Sequence, residues 1–156
     1  MAKKVKMTIE LKQETIFDNY VITNFDLNHK EEIAFSMLDA YKDTVDYEGE
    51  DINDTKAEIE NVINNGYGTF LIETSFMIKI NNEVASVIMI SLYEDIPTII
   101  YVFTMKKYTK KKMASCLIKK SMQALYKIGY KKIQLFVSKD NNEAIRIYQK
   151  LGFIES

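Results

Sequence analysis

The order of segment types between residues 99 and 153 limits this chain more than any other feature. An apolar run at 99–105 (IIYVFTM) reads as a strand, and a lysine-packed loop at 106–112 (KKYTKKK) follows it. From residue 112 to 128 the positions Ala114, Leu117, Ile118, Ser121, Leu125 and Ile128 recur at helical spacing, with Lys119, Lys120, Gln123 and Lys127 opposite. Gly129 ends that helix. In KIQLFVS, at 132–138, Ile133, Leu135 and Val137 alternate with Gln134, Phe136 and Ser138, as in a strand. A last helix over about 142–151 stops before Gly152. Helices that precede, separate and follow strands predict a layered α/β or α+β domain around a mixed sheet.

The first two thirds fit the same plan. Strand-like segments lie at 4–11 and 20–25. Asn28, with Glu31 three residues on, reads as a capping box opening a helix whose inward face is Ile33, Met37, Leu38 and Tyr41. An acidic stretch, KDTVDYEGED, separates it from a second helix, which starts near Asp54, turns Ile59, Val62 and Ile63 inward and is capped at Gly66. FMIKI and VASVIMISL form a hairpin about Asn81 and Asn82, residues suited to positive φ. Pro97, the only proline, opens the next strand, where a missing N–H is tolerated.

A chain of 156 residues with 47% hydrophobic content can bury roughly 70% of its unfolded surface in one core, so one domain is expected over 1–156. The formal charge of −1 argues against general nucleic-acid binding, although Lys supplies every basic residue except Arg146. The basic N-terminus has no apolar stretch behind it, and no segment approaches the roughly 20 apolar residues of a membrane span. No membrane association and a cytoplasmic location are therefore expected. Cys116 is the single cysteine, so no internal disulfide is possible, and no metal site is expected.

The segment order and the sequence NNEAIRIYQKLGF together resemble the cofactor-binding half of the GCN5-related N-acetyltransferases, the GNAT superfamily. Its members typically show Asn, Ala three residues on, Tyr seven residues on, and a closing Leu-Gly-Phe. Here these are Asn141, Ala144, Tyr148, Leu151, Gly152 and Phe153. On a helix Ala144, Tyr148 and Leu151 share a face, which aims Tyr148 at the sheet. The resemblance implies a mostly antiparallel sheet splayed at the cofactor site, helices on both faces, and acetyl-CoA as cosubstrate. It implies that the strand about Val102, Phe103 and Thr104 holds the pantetheine arm. It further implies that Thr109, Lys110, Lys111, Lys112, Met113, Ala114 and Ser115 meet the pyrophosphate.

That loop departs from the family pattern, since Thr109 stands where Arg or Gln is usual and Lys112 where Gly is. Ala114 keeps the final small residue. Glycine suits the position because phosphate approaches the main chain closely. A left-handed Lys112 would cost about 1 to 2 kcal/mol, while a charge-assisted phosphate contact contributes about 1.5 to 3 kcal/mol. The alternative for Lys106, Lys107, Lys110, Lys111 and Lys112 is a solvated loop.

The implied reaction is direct attack of an amine on the thioester, with strand N–H groups near Val102 and Phe103 stabilising the oxyanion and Tyr148 meeting the leaving sulfur. An alkyl amine of pKa near 10.4 needs about 4 to 5 kcal/mol of deprotonation at pH 7. Glu94, Asp95 and Tyr101 are candidates for the base. Asp43, Asp46, Glu48, Glu50 and Asp51, in the loop between the first helices, either attract a cationic small-molecule or peptide amine or form a solvated acidic loop. Cys116 reads as packing rather than an acyl-cysteine, and His29 as a surface residue. Besides an N-acetyltransferase, two readings remain: a catalytically silent acyl-CoA or partner-binding domain, and a nucleic-acid or acidic-partner binding module that uses the lysine loop. Only three residues follow Leu-Gly-Phe, so the sheet edge there is expected to be completed by residues 5–11 or covered in a homodimer.

Overall fold

The computed structural model describes residues 3–13 and 19–156, which carry eight strands and four α-helices. The strands are β1 (Lys4–Glu10), β2 (Ile22–Asn24), β3 (Thr69–Phe70), β4 (Phe76–Ile80), β5 (Glu83–Tyr93), β6 (Ile96–Thr104), β7 (Lys132–Ser138) and β8 (Ile154–Glu155). The helices are α1 (Lys30–Tyr41), α2 (Ile52–Ile63), α3 (Met113–Ile128) and α4 (Asn142–Leu151). One sheet runs β2-β4-β5-β6-β7-β1-β8, with β3 added beside β5. Every pairing is antiparallel except β6 with β7. This is the expected mixed, mostly antiparallel sheet.

Helices cover both faces. On one side, Ile33, Ala34 and Met37 of α1 and Ile59 and Val62 of α2 pack on Met77, Val87, Met89 and Phe103. On the other, Leu117, Ile118, Met122 and Leu125 of α3 pack on Ile78, Ile88, Ile90, Ile99 and Leu135, with Ala144, Tyr148 and Leu151 of α4 at the margin. Central strands covered twice lose polar alternation, as the nearly continuous burial of β5 shows. Each layer also docks through one buried serine. Ser36 Oγ donates to the Val84 carbonyl (2.6 Å), and Ser121 Oγ, on the expected inward face of α3, donates to the Thr74 carbonyl (2.6 Å).

Local chemistry moves three expected boundaries. The carboxylate of Asp26 accepts the N–H of Asn28 (2.9 Å), opening a 3-10 turn at Leu27–His29, so Asn28 does not cap a helix and α1 starts at Lys30. The capping box belongs to α2, where Asp51 and Asp54 each accept the other's N–H (2.8 and 3.0 Å), which starts that helix at Ile52. Gly66 is not its left-handed cap; Asn65 takes that conformation at φ 70°. A Cβ at Gly66 would lie 2.1 Å from the Asn61 side chain, which would have to move aside. Asn81 and Asn82 make the predicted hairpin at φ 51° and 65°.

Residues 4–10 complete the sheet. β1 pairs with β7 from Lys4 opposite Ser138 to Glu10 opposite Lys132, and β8 adds to its outer side through Met7 and Thr8. Of the two expected ways to complete the edge, this is the intrachain one. Met7, 2% exposed, is the strand's anchor in the core. We predict that Met7→Ala lowers the unfolding free energy by about 2 to 5 kcal/mol in urea titration, the range for such core truncations. Lys6→Ala, at an exposed position of the same strand, should stay within about 0.5 kcal/mol. Equal effects would mean that β1 is not seated in the core.

Candidate active site

The site begins where β6 and β7 part. Thr98 pairs with Gln134 and Ile99 with Leu135, and there the ladder stops, although β6 continues to Thr104 and β7 to Ser138. A bulge accompanies the break. Tyr101 faces Met89 and Ile99 faces Ile90 on β5, leaving Ile100 as an extra residue of β6. An inserted residue bends and twists its strand. The opened strands frame a cleft of about 980 Å³, lined by β6, the end of β7, the starts of α3 and α4, and the 42–51 loop.

Strand geometry decides which main-chain groups face this cleft. The Met105 N–H donates to the Ala85 carbonyl on the β5 side (2.9 Å). Alternation turns the Phe103 N–H to β5 as well and the Val102 and Thr104 peptide groups toward β7, beyond the point where β7 can pair with them. Val102 rather than Phe103 therefore offers an N–H to the cleft. The Phe103 side chain is buried against Tyr41, their rings meeting edge-on with centroids 6.3 Å apart.

The lysine loop divides by function. Asp39 accepts the Lys106 N–H (2.8 Å), Lys106 Nζ lies 3.6 Å from Asp43, and Lys107 Nζ lies 2.7 Å from Glu83. Lys107 and then Tyr108, bonded to the same carboxyl, hold Glu83 below its usual range. These contacts fasten the start of the loop. Further on, Tyr20 Oη donates to the Lys111 carbonyl (2.6 Å), and Lys110 and Lys112 adopt left-handed φ of 63° and 64°. Lys112 is the N-cap of α3, and its own side chain makes no cap bond. The Cys116 N–H is the first to bond back, to the Lys112 carbonyl (3.0 Å), so the N–H groups of Met113, Ala114 and Ser115 precede the intrahelical ladder. Lys106, Thr109, Lys110 and Ala114 line the cleft, whereas the Met113 side chain is buried in the core. Lys111, Lys112 and Ser115 are not among its lining residues.

Tyr148 is fixed by the way α4 ends. Gly152, at φ 106°, lets the Phe153 N–H reach the Tyr148 carbonyl (3.0 Å) and its own N–H reach Gln149 (3.0 Å), the two bonds of a Schellman motif. Such a motif brings together the side chains at its two ends. Phe153, 2% exposed, meets Tyr148 edge-on at 5.9 Å. At the other end of α4, the Asn141 side chain accepts the Ala144 N–H (3.2 Å) and is thereby used as a cap. Burial first, and then Asp46, push the Tyr148 hydroxyl up to about 12. Tyr41 is raised by burial, then by Tyr148 and Asp46. Asp46 itself accepts a hydrogen bond from Ser138 Oγ (2.5 Å), tying the acidic loop to the end of β7. Asp43, Asp46, Glu48 and Glu50 of that loop line the cleft.

One cleft residue has no precedent in the sequence reading. Glu58 of α2 accepts hydrogen bonds from Tyr67 Oη (2.6 Å) and Tyr101 Oη on a single oxygen, Oε2. A carboxylate beside Thr55, Ile59 and Val62, the buried positions of α2, was the available sign. Both tyrosines are raised, chiefly by burial and then by Glu58, Tyr67 to about 12. Glu94 and Asp95, by contrast, form the β5–β6 turn at φ 52° and 65° and do not line the cleft. His29 sits at the start of α1 beside Asp26, Glu32 and Lys79.

Comparison with solved structures finds the same fold in several acetyltransferases. A GNAT-family protein from Novosphingobium aromaticivorans superposes with TM-score 0.71 at 18% identity, over 99% of this chain and 60% of that one. The ribosomal-protein-S18-alanine N-acetyltransferase of Escherichia coli gives TM-score 0.68 at 18% identity, over 87% and 78% of the two chains. The PaiA N-acetyltransferase of Thermoplasma acidophilum, in complex with coenzyme A, gives 0.69 at 17% identity, over 88% and 91%. The present chain thus spans less than two thirds of the Novosphingobium protein. No curated protein sequence matches it. The family model for the acetyltransferase (GNAT) family matches residues 37–153, from within α1 to the end of the Leu-Gly-Phe segment, and the chain belongs to that family.

Proposed function

We propose that this chain moves an acetyl group from acetyl-CoA to an amine by direct attack. The observation that carries the reading is the run of β6 beyond its last pairing with β7, whose Val102 and Thr104 peptide groups face a cleft also lined by Tyr148. A pantetheine arm has two amides and can continue the ladder where β7 has left it. The start of α3, with its left-handed Lys112, suits a pyrophosphate, since helical N–H groups and the positive end of the dipole point outward there. The acidic loop lining the same cleft favours a cationic acceptor, a small amine or a peptide amine.

Each residue then has a distinct task. The Val102 N–H is placed to stabilise charge developing on the carbonyl oxygen. Tyr148 donates a hydrogen bond to the departing sulfur. With its hydroxyl near 12 and a thiol near 8.5, complete proton transfer would be uphill by about 5 kcal/mol, so Tyr148 acts by a hydrogen bond that strengthens in the transition state. No helix among the described residues is long and apolar enough to cross a membrane.

Thiol release from acetyl-CoA across a panel of amine acceptors tests the reading. Calorimetric binding of coenzyme A without turnover of any acceptor would favour a silent acyl-CoA-binding domain instead. Tyr148→Phe should lower kcat by about tenfold or more while leaving the coenzyme A dissociation constant within about twofold. An unchanged kcat would remove Tyr148 from the mechanism. Because its hydroxyl is raised to about 12, the donor is present at lower pH and is lost only as pH rises through that value. No alkaline loss of kcat below about pH 10.5 should therefore trace to Tyr148, as comparison of wild-type and Tyr148→Phe profiles would reveal. Lys112→Gly should flatten the salt dependence of coenzyme A binding while preserving main-chain access to the pyrophosphate. Identical slopes would mean that Lys112 does not meet the phosphates.

A further inference from the structure

Direct attack requires a neutral amine, and an alkyl ammonium at pH 7 has to lose a proton first. The candidate bases on the β5–β6 turn are too distant. Asp95 precedes Val102 by seven strand residues, which at about 3.3 Å each is roughly 23 Å. Asp46 is bonded to Ser138 Oγ and acts on Tyr148, the group proposed to meet the leaving sulfur, so it belongs to the other side of the reaction. Glu58 and Tyr101 are differently placed, because both line the cleft and the hydroxyl donates directly to the carboxylate. Tyr101 also immediately precedes Val102, the residue whose N–H faces the cleft, and its ring packs edge-on against Tyr41 (6.1 Å) in the α1–α2 layer that adjoins the acidic loop.

We propose that Glu58 is the proton acceptor for the attacking amine, and that the Tyr101 hydroxyl passes the proton to it. This rests on the acetyl-transfer reading above. A lone pair of Tyr101 Oη takes a proton from the ammonium while its own proton moves to Glu58 Oε2, so one N–H bond breaks, one carboxyl O–H bond forms, and no tyrosinate builds up. The freed nitrogen lone pair then forms the C–N bond as the C–S bond breaks. The second amine proton goes to the departing thiolate, and Glu58 returns its proton to solvent. Two neighbours hold the carboxylate for this exchange: Tyr67 Oη at 2.6 Å from Oε2, and Asn61 Nδ2 at 3.2 Å from Oε1. Tyr67 and Asn61 are positioning residues. The short path from strand to helix also explains why a charged side chain sits beside the inward face of α2.

The test is the pH dependence of kcat/KM for wild type, Glu58→Gln and Tyr101→Phe, using a primary alkyl amine that wild type acetylates. Calorimetry with coenzyme A and thermal melts accompany each variant. At pH 7 both variants should fall by about 1000-fold, within the usual scale of general-base catalysis, with coenzyme A affinity unchanged. Both deficits should shrink by about tenfold per pH unit and nearly close around pH 10, where the free amine supplies itself. Full activity in Glu58→Gln, or a deficit constant from pH 7 to about pH 10, would overturn the relay and leave acetyl transfer standing. If Glu58→Gln does not fold, the Tyr101→Phe profile carries the same decision. A wild type that binds coenzyme A and acetylates nothing would overturn the function reading, and the relay with it.

Discussion

The end of hydrogen bonding between β6 and β7 is the interaction on which this molecule turns, because a sheet that kept the ladder would have no cleft. Main-chain groups rarely remain unpaired when buried, so the break has to be both caused and contained. The extra residue at Ile100 bends β6. Containment comes from the far side, where β1 stays in register along the whole of β7 while β7 leaves β6. The strand that diverges is therefore held by its other neighbour, and the gap stays open without loosening the sheet.

The same economy shapes α4. Its glycine permits the tight turn, the turn brings Phe153 beneath Tyr148, and the ring contact sets the direction of a hydroxyl at the cleft wall. Leu-Gly-Phe and the tyrosine three residues before it are thus one mechanical unit. Losing the glycine would disturb the tyrosine without touching it.

Much of the architecture was legible in the sequence because it depends on local chemistry. Helical periodicity placed α3 and α4 to within a residue, and paired asparagines placed the β4–β5 hairpin. Boundaries failed where two side chains compete for one role. Asp26 displaced Asn28 as a cap, and Asp51 with Asp54 moved the start of α2. The site was legible only in its local parts, the Asn141 to Phe153 unit and the loop before α3. Glu58 could not be found that way. Its meaning comes from Tyr67 and Tyr101, which lie on other elements and meet it only after the sheet and α2 have packed. Likewise, the ties that fix Lys106 and Lys107 depend on Asp39, Asp43 and Glu83, which periodicity cannot associate with them.

The pairing of β1 with β7 also constrains when the molecule can form. Residues 4–10 find their partners only at 132–138, far along the sequence. Until the two segments meet, Met7 and its neighbours have no place in the sheet, and the loop that must close runs from residue 10 to residue 132. Closure entropy grows only with the logarithm of loop length, so the stability of the finished sheet suffers little, but long-range pairing of this kind slows folding. The core of β4, β5, β6 and α3 can assemble first from contacts close in sequence. The cleft acquires its second wall only when residues 4–10 and 132–138 meet.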